Sequence, residues 1–386
     1  ALRSFNWYSL NPIVSGTSAG TYVYTDTTFN TNHGTHVAGI AVGNTQGWAK
    51  NANIYNISPY GENSIGLAWF DYIRAWHNQK SINPNTGFKN PTICNNSYAF
   101  VNYVNVNNIS SIIHRGTTYT GTWNSTGNGT VNYTDLGFPY NALEWNYTGV
   151  YELKFYTYLP YFIADVQDAI NDGIHVVWAA GNDNYRLDVP GGPDYDNRVM
   201  VVNNPNYINR HNVSSIDEVI VVGAVSANAD EKIIYNKGPD VDLFAPGTWI
   251  MSSIGQTSPS GDVDDPRGLN GDRLASYGGT SMAAPQVTGV MACILESSIS
   301  LSTTSFKSSV LSITKNDQLP SQGTGVYSDF YHLQGANNKI IYIPEFDIQV
   351  SLSTTLLSNN QTLVYSITPV NNVAPSQLFV TFTGAA

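Results

Sequence analysis

Two short apolar runs constrain this chain most: Val176-Val177-Trp178-Ala179-Ala180 and Val219-Ile220-Val221-Val222. They lack the alternation of a half-exposed strand, and they are short for helices. Such runs are strands covered on both faces, the condition met in parallel sheets layered with helices. Helical patterns separate the strand-like runs. Residues 62–79 carry Ile65, Leu67, Ala68, Phe70, Ile73 and Trp76 on one face, and further helices are expected at 163–171, 281–296 and 306–312. Another helix starts at Asn32-His33-Gly34 and runs through Ile40. Additional strands are expected at 21–24, 53–57, 92–97, 199–202 and 241–244. This interleaving predicts an α/β fold with a mostly parallel central sheet. Residues 101–160, crowded with Asn, Tyr, Gly and Thr, break the rhythm and are read as an inserted β-rich or irregular lobe. From residue 339 onward the pattern is strand-like only, at 340–343, 348–352, 363–367 and 378–382, which predicts a small C-terminal β extension.

Composition narrows the function. Only 12% of the 386 residues are charged and the net charge is −11, against roughly 25% charged in an average soluble chain. Binding to nucleic acid through phosphates needs a basic surface, so that class is excluded. No window holds the 18 or so apolar residues of a spanning helix, so no membrane partner is expected. With 42% hydrophobic residues the chain can build a core, which argues against extended disorder. Polarity is carried by Asn, Ser, Thr, Gly and 25 Tyr residues, a surface associated with extracellular proteins and virion shells. The two cysteines, Cys94 and Cys293, exclude a disulfide scaffold and are expected to be buried, unbonded thiols. The chain begins at Ala1 with no signal-peptide pattern. The start is read as trimmed by processing, or as lacking residues upstream.

Three segments carry chemistry. His33-Gly34-Thr35-His36-Val37-Ala38-Gly39 places a histidine at a helix start, where a neutral imidazole can serve as general base. Val176 to Asn182 is an apolar strand ending in Gly181-Asn182, at the carboxyl edge where open α/β sheets bind ligands. An Asn amide there can donate to a developing oxyanion. Gly279-Thr280-Ser281-Met282-Ala283-Ala284-Pro285 puts Ser281 at the opening of a helix, whose dipole and free N–H groups favour an incoming anion. Taken singly, a structural histidine and a turn asparagine are the plainer readings of the first two.

Together, and in this order, these segments resemble the subtilisin-like serine proteases, the subtilases. Asn96-Ser97-Tyr98-Ala99 matches the family's substrate-binding strand, and Phe244-Ala245-Pro246-Gly247 its turn before the serine. The resemblance covers about residues 30–343, with insertions at about 101–160 and 184–215. It implies a three-layer α/β/α domain over residues 1–343 and a β-rich extension over 344–386. It also implies a serine endopeptidase, acting on a peptide or protein substrate through an acyl-enzyme. His33 becomes the base and Ser281 the nucleophile, with Asn182 and the Ser281 N–H as the oxyanion hole. Ser97, Tyr98, Ala99 and Gly181 become substrate contacts. Ala99 stands where the family has Gly, and Tyr98 where it usually has Leu, which implies an altered specificity pocket.

The triad acid is the gap in the pattern. The family carries it as Asp-Ser-Gly or Asp-Thr-Gly well before the histidine. Here Asp26 is the one acid ahead of His33, in Thr25-Asp26-Thr27 with no following Gly. An acid on a segment upstream of Ala1 is the favoured expectation, with a cut before Ala1 and the upstream N-terminal fragment either still docked or replaced by other structure; Asp26 is the lesser candidate. No cofactor is required. The family commonly holds structural calcium, but Asp262, Asp264 and Asp265, like Asp183, Asp188, Asp194 and Asp196, are read as solvated loops without a specific ligand spacing. The insert's aromatic residues, among them Tyr103, Tyr119, Tyr133, Trp145 and Tyr151, are expected to pack its own small core. The second reading is a catalytically impaired subtilase scaffold that serves as a structural or binding protein. The composition and the Asn/Tyr-rich insert resemble subtilase-type proteins of marine phage particles, with other virion proteins as partners.

Overall fold

The structure, a computed structural model, describes residues 32–57, 69–122, 132–139, 142–145, 149–202, 206–226, 235–255, 263–264, 273–317, 319, 333–341, 348–352 and 365–369. Asp26, the expected strands at 21–24 and 378–382, and the first turns of the helix expected at 62–79 lie outside the described residues. The chain divides into two compact units, Ala1–Ile341 and Tyr342–Ala386.

The helices are α1 (His33–Val42), α2 (Trp69–Gln79), α3 (Pro160–Asn171), α4 (Thr280–Ser297) and α5 (Thr303–Ser312). The first strands are β1 (Thr92–Asn96), β2 (Val101–Asn105), β3 (Ile109–His114), β4 (Thr117–Tyr119), β5 (Leu143–Trp145) and β6 (Tyr151–Tyr156). Then come β7 (Ile174–Ala179), β8 (Arg198–Val201), β9 (Tyr207–Ile208), β10 (Ile220–Val225), β11 (Leu243–Pro246) and β12 (Ile250–Ile254). The last are β13 (Val263–Asp264), β14 (Arg273–Tyr277), β15 (Lys315–Asn316), β16 (Lys339–Ile340), β17 (Ile348–Leu352) and β18 (Tyr365–Pro369).

The central sheet runs β1-β7-β10-β11-β16-β15 and is parallel except for β15. Every residue of β7 and β10 is buried, as expected of strands covered on both faces. The period of two divides β7 between two cores. Ile174, Val176 and Trp178 join Phe70, Phe162 and Val166 of α2 and α3. Val177 and Ala179 join Ala284, Val287 and Met291 of α4 and Phe306 of α5. This is the three-layer α/β/α arrangement that the resemblance implies. The small residues of α1 and α4 let the layers close. A Cβ on Gly39 would meet Ser252 and Ser253 of β12, and one on Gly289 would lie 2.8 Å from the Ala41 carbonyl of α1.

The two insertions form one lobe. The first contributes the antiparallel sheet β2-β6-β5. It shares a second sheet, β4-β3-β8-β9, with the later insertion, because β3 pairs antiparallel with β8. Residues 199–202, expected beside the central parallel strands, therefore belong to the lobe. The alternating burial of β8 marks a strand with one wet face. Arg115 grips Asp194 through two hydrogen bonds of 2.8 and 3.0 Å, and Arg186 bonds Asp188 at 2.6 Å and Asp194 at 2.7 Å. Lobe residues Ile112, Leu136, Phe138, Leu153 and Phe155 share one core with Trp178 and Phe162. A cavity of about 370 Å³ lies within the lobe, walled by Phe138, Tyr156, Tyr185, Asp194, Arg210 and His211, among others.

Other expectations are corrected. Residues 53–57 form no strand: Ile54 and Tyr55 are exposed, and Tyr55 packs on Trp76 with ring centroids 4.3 Å apart. Alternation alone buries nothing without a sheet face to meet. Cys293 is exposed, since α4 buries Val287, Met291 and Leu295 instead, while Cys94 is half-buried; both are unbonded. Tyr133 is buried in the lobe, but Tyr103 and Trp145 face solvent. In the second unit β17 and β18 form an antiparallel hairpin. No described helix is long and apolar enough to cross a membrane.

Candidate active site

The site lies off the carboxyl ends of β1 and β7, where α4 begins. Gly279 caps α4 in an extended positive-φ conformation (φ 146°) that favours glycine. A Cβ there would stand 3.0 Å from the Asn182 amide nitrogen. Ser281 is the second residue of the 18-residue α4, so its backbone N–H is one of the donors a helix start leaves unpaired. Pro285, four residues on, has no N–H to give to the Ser281 carbonyl. That carbonyl accepts the Ser97 hydroxyl instead, at 3.0 Å. In return the Ser281 hydroxyl donates to the Ser97 carbonyl at 3.2 Å. Helix and strand end are thus tied by the same two residues.

Thr280 orients the candidate oxyanion donor. Its N–H and hydroxyl both donate to Asn182 Oδ1, at 2.9 and 3.0 Å, and the Gly181 N–H donates to its Oγ1 at 2.9 Å. With the amide oxygen held this way, Asn182 Nδ2 is turned to donate elsewhere. Gly181 has φ 98°, and a Cβ there would collide with the Tyr156 hydroxyl. Asn236 clamps the same loop on both sides of Asn182. Its backbone N–H reaches the Gly181 carbonyl at 3.0 Å and its Nδ2 the Ala180 carbonyl at 2.6 Å. Its Oδ1 accepts from the N–H groups of Asp183 at 3.2 Å and Tyr185 at 2.8 Å.

His33 opens α1, which packs along α4 and against β12. Its neighbour Asn32 is buried, and Asn32 Oδ1 accepts the Gly255 N–H at 2.8 Å, which pins the helix start to the end of β12. His33 is half-buried, and burial lowers its pKa below the usual 6.5. That keeps the imidazole neutral, the form a general base needs. Its ring makes no hydrogen bond to Ser281 or to any described carboxylate. The other histidine of the motif is structural: His36 Nε2 lies 3.0 Å from the Ala275 carbonyl, and its ring stacks on Tyr277 at 4.4 Å.

The structure brings Ser97, Gly181, Asn182 and Ser281 together. Tyr98 turns its side chain away from the cleft side of the strand and into the core. Its hydroxyl donates to Asn96 Oδ1 and accepts from Trp69 Nε1, both at 2.9 Å, so the side chain belongs to the core behind the strand. Ala99 is half-buried and packs against the same core. Thr280, Asn236 and Tyr156 are functional neighbours that sequence reasoning missed. Thr280 sits inside a recognised motif, but no periodicity marks Asn236 or Tyr156. Among the described residues no group of three or more His, Cys, Asp or Glu could hold a metal ion.

The model of the Subtilase family, Peptidase_S8, matches residues 13–326. The major intracellular serine protease of Bacillus subtilis (strain 168) is 31% identical over 129 residues, 33% of this chain and 30% of that protein. Subtilisin DY of Bacillus licheniformis is 30% identical over 122 residues, 32% of this chain and 36% of that one. The extracellular basic protease of Dichelobacter nodosus is 39% identical over 94 residues, 24% and 14% of the two chains. The chain thus spans about a third or less of the length of these curated relatives. Among solved structures, a cold adapted subtilisin-like serine proteinase aligns with 80% of this chain and 74% of its own at TM-score 0.44 and 20% identity.

Proposed function

The chain belongs to the subtilase family, and on that premise we propose that it is a serine endopeptidase with Ser281 as nucleophile. The observation that carries the proposal is the joint fixing of Ser281 and Asn182 by Thr280 and Ser97 at the start of α4. Ser281 Oγ attacks the peptide carbonyl carbon while His33 takes the hydroxyl proton. The carbonyl oxygen becomes an oxyanion between Asn182 Nδ2 and the Ser281 N–H, at the positive end of the α4 dipole. As the C–N bond breaks, the imidazolium passes its proton to the leaving amine. Water then attacks the ester, His33 takes its proton and returns it to Ser281 Oγ as the ester C–O bond breaks, and the acid product leaves.

The test is hydrolysis of an unfolded protein substrate by the purified chain. Cleavage that is lost in Ser281→Ala is the expected result; equal cleavage by both would assign it to a contaminant. A second reading, a subtilase scaffold that binds peptide without cutting, is favoured by one contact: the resting Ser281 hydroxyl donates to Ser97 rather than to His33. Catalytic hydrogen bonds often tighten only with substrate present, so the same assay separates the two. We extend the proposal to self-processing, and to work outside the cell or on a virion. The support for location is the low charge, 12% of residues, and a relative named as extracellular. Another relative is named as intracellular, so fractionation of the native source decides location. Incubation of Ser281→Ala beside the intact protein decides self-processing.

A further inference from the structure

Ser281 stands between two diverging strand ends. β1 and β7 pair in register as far as Asn96 and Trp178, and the chain then leaves them as residues 97–100 and 180–182. Ser281 is tied to the first through Ser97, and to the second through Thr280 and Asn182. An acyl group on Ser281 Oγ with its oxygen toward Asn182 directs its side chain into the crevice between those ends. Binding crevices of this kind are normally open and partly apolar. Here residues of both insertions fill it. The Tyr156 hydroxyl lies against the Cα of Gly181 and leaves no room for a Cβ. Asn212 Oδ1 accepts the Phe100 N–H at 2.9 Å, and its Nδ2 donates to the Thr157 carbonyl at 2.7 Å. His211 Nε2 meets the Ala179 carbonyl at 3.3 Å. Tyr156, His211 and Asn212 are 1%, 2% and 0% exposed, so all three are packed inside the fold. A second set of bonds locks it: Tyr156 donates to Asp183 Oδ2 at 2.9 Å and accepts from Asn236 at 2.6 Å.

We infer that Tyr156, His211 and Asn212 close the crevice for the side chain on the acyl side of the cut bond, so that the site takes glycine or alanine there and rejects larger residues. This rests on the proposed acyl-transfer activity and names its substrate class. Tyr156 and His211 also wall the 370 Å³ cavity of the lobe. Because Tyr156 reaches Gly181 and also lines that cavity, its truncation enlarges the space beside Gly181.

The experiment measures labelling of Ser281 by peptidyl diphenyl phosphonates that differ only in a Gly, Ala, Leu or Phe side chain next to phosphorus. A plain alkyl fluorophosphonate serves as reference. The intact protein is expected to react with the Ala probe at least about 100-fold faster than with the Phe probe, a steric exclusion stronger than the loss of one methylene contact. Tyr156→Ala is expected to narrow that ratio at least tenfold, and Tyr156→Phe, which keeps the ring, to preserve it. If Tyr156→Ala does not fold, the intact protein and Tyr156→Phe decide. Comparable rates with Ala and Phe probes in the intact protein overturn the inference while leaving the activity standing. Failure of the reference probe to label Ser281 overturns the activity and the inference with it.

Discussion

The catalytic layer and the inserted lobe hold their polar groups by different means. Around Ser281 the bonds are short side-chain-to-backbone contacts made at the ends of single elements: Ser97 with Ser281, Thr280 with Asn182, and Asn236 with the 180–185 loop. In the lobe the fixing is ionic and long-range. Arg115 and Arg186 converge on Asp194, and β3 pairs with β8 from the other insertion. In a chain with only 12% charged residues, this cluster ties together segments that no continuous element positions. The catalytic geometry follows from where elements end, whereas the lobe exists only once two distant segments have met. Substitutions in the first should stop chemistry and spare stability, and substitutions in the second should do the reverse.

The largest effect is expected from Ser281→Ala, which should abolish measurable cleavage with the melting temperature little changed; the full loss of about 10⁶ in kcat known for subtilisin, itself a member of this family, applies where a triad acid serves His33. Asn182→Ala comes next, at about 10²–10³ in kcat, a range likewise taken from subtilisin. Steady-state kinetics on one peptide substrate measure both. Asn236→Ala tests whether the loop must be clamped. It removes three side-chain bonds around Asn182, and kcat should fall up to about 100-fold with a smaller rise in KM. A fall in apparent kcat that matches the loss of folded protein, with KM unchanged, would mean that Asn236 serves folding alone.

Asp194→Ala addresses the lobe. It leaves the largely buried side of the Arg115, Asp194, Arg186 cluster without its carboxylate, at a cost of about 3 kcal/mol in a denaturant titration. Per surviving folded molecule, labelling of Ser281 should be unchanged. The smallest effect is on pH dependence. His175 is buried against Phe306, and burial lowers its pKa from 6.5 to about 4. The unfolded chain therefore binds the extra proton in that window, so stability is full above pH 6.5 and declines as the pH falls toward 4. His175→Asn should flatten that decline by at most about 3 kcal/mol. Activity runs in the same direction. Because burial lowers the His33 pKa, the acid limb of the pH–rate profile should have its midpoint below that of free imidazole.

The same contrast explains what can be read from the sequence. β7, β10, α3 and α4 are visible as apolar runs and helical stripes; Asn182 follows β7, Ser281 lies at the start of α4, and His33 opens α1. Thr280 lies within a legible motif, but its role needs the position of Asn182. The lobe is opaque because β8 has no local mark of its partner, and Val199 and Val201 fit a central strand as well as an antiparallel one. Tyr156 is hidden for the same reason. Its function depends on Gly181, which reaches it only after the fold has closed. Residues 53–57 fail in the opposite sense, since their alternation is genuine and meets no sheet face.

The start of α4 brings Ser281 beside the oriented Asn182 amide, and everything proposed for the site depends on Ser281 being reactive there. The most direct test is reaction of the folded protein with an alkyl fluorophosphonate, followed by peptide mass mapping. One adduct is expected, on Ser281, absent from Ser281→Ala and slowed in Asn182→Ala. A folded protein that takes up no label at Ser281, or labels equally in Asn182→Ala, would contradict it.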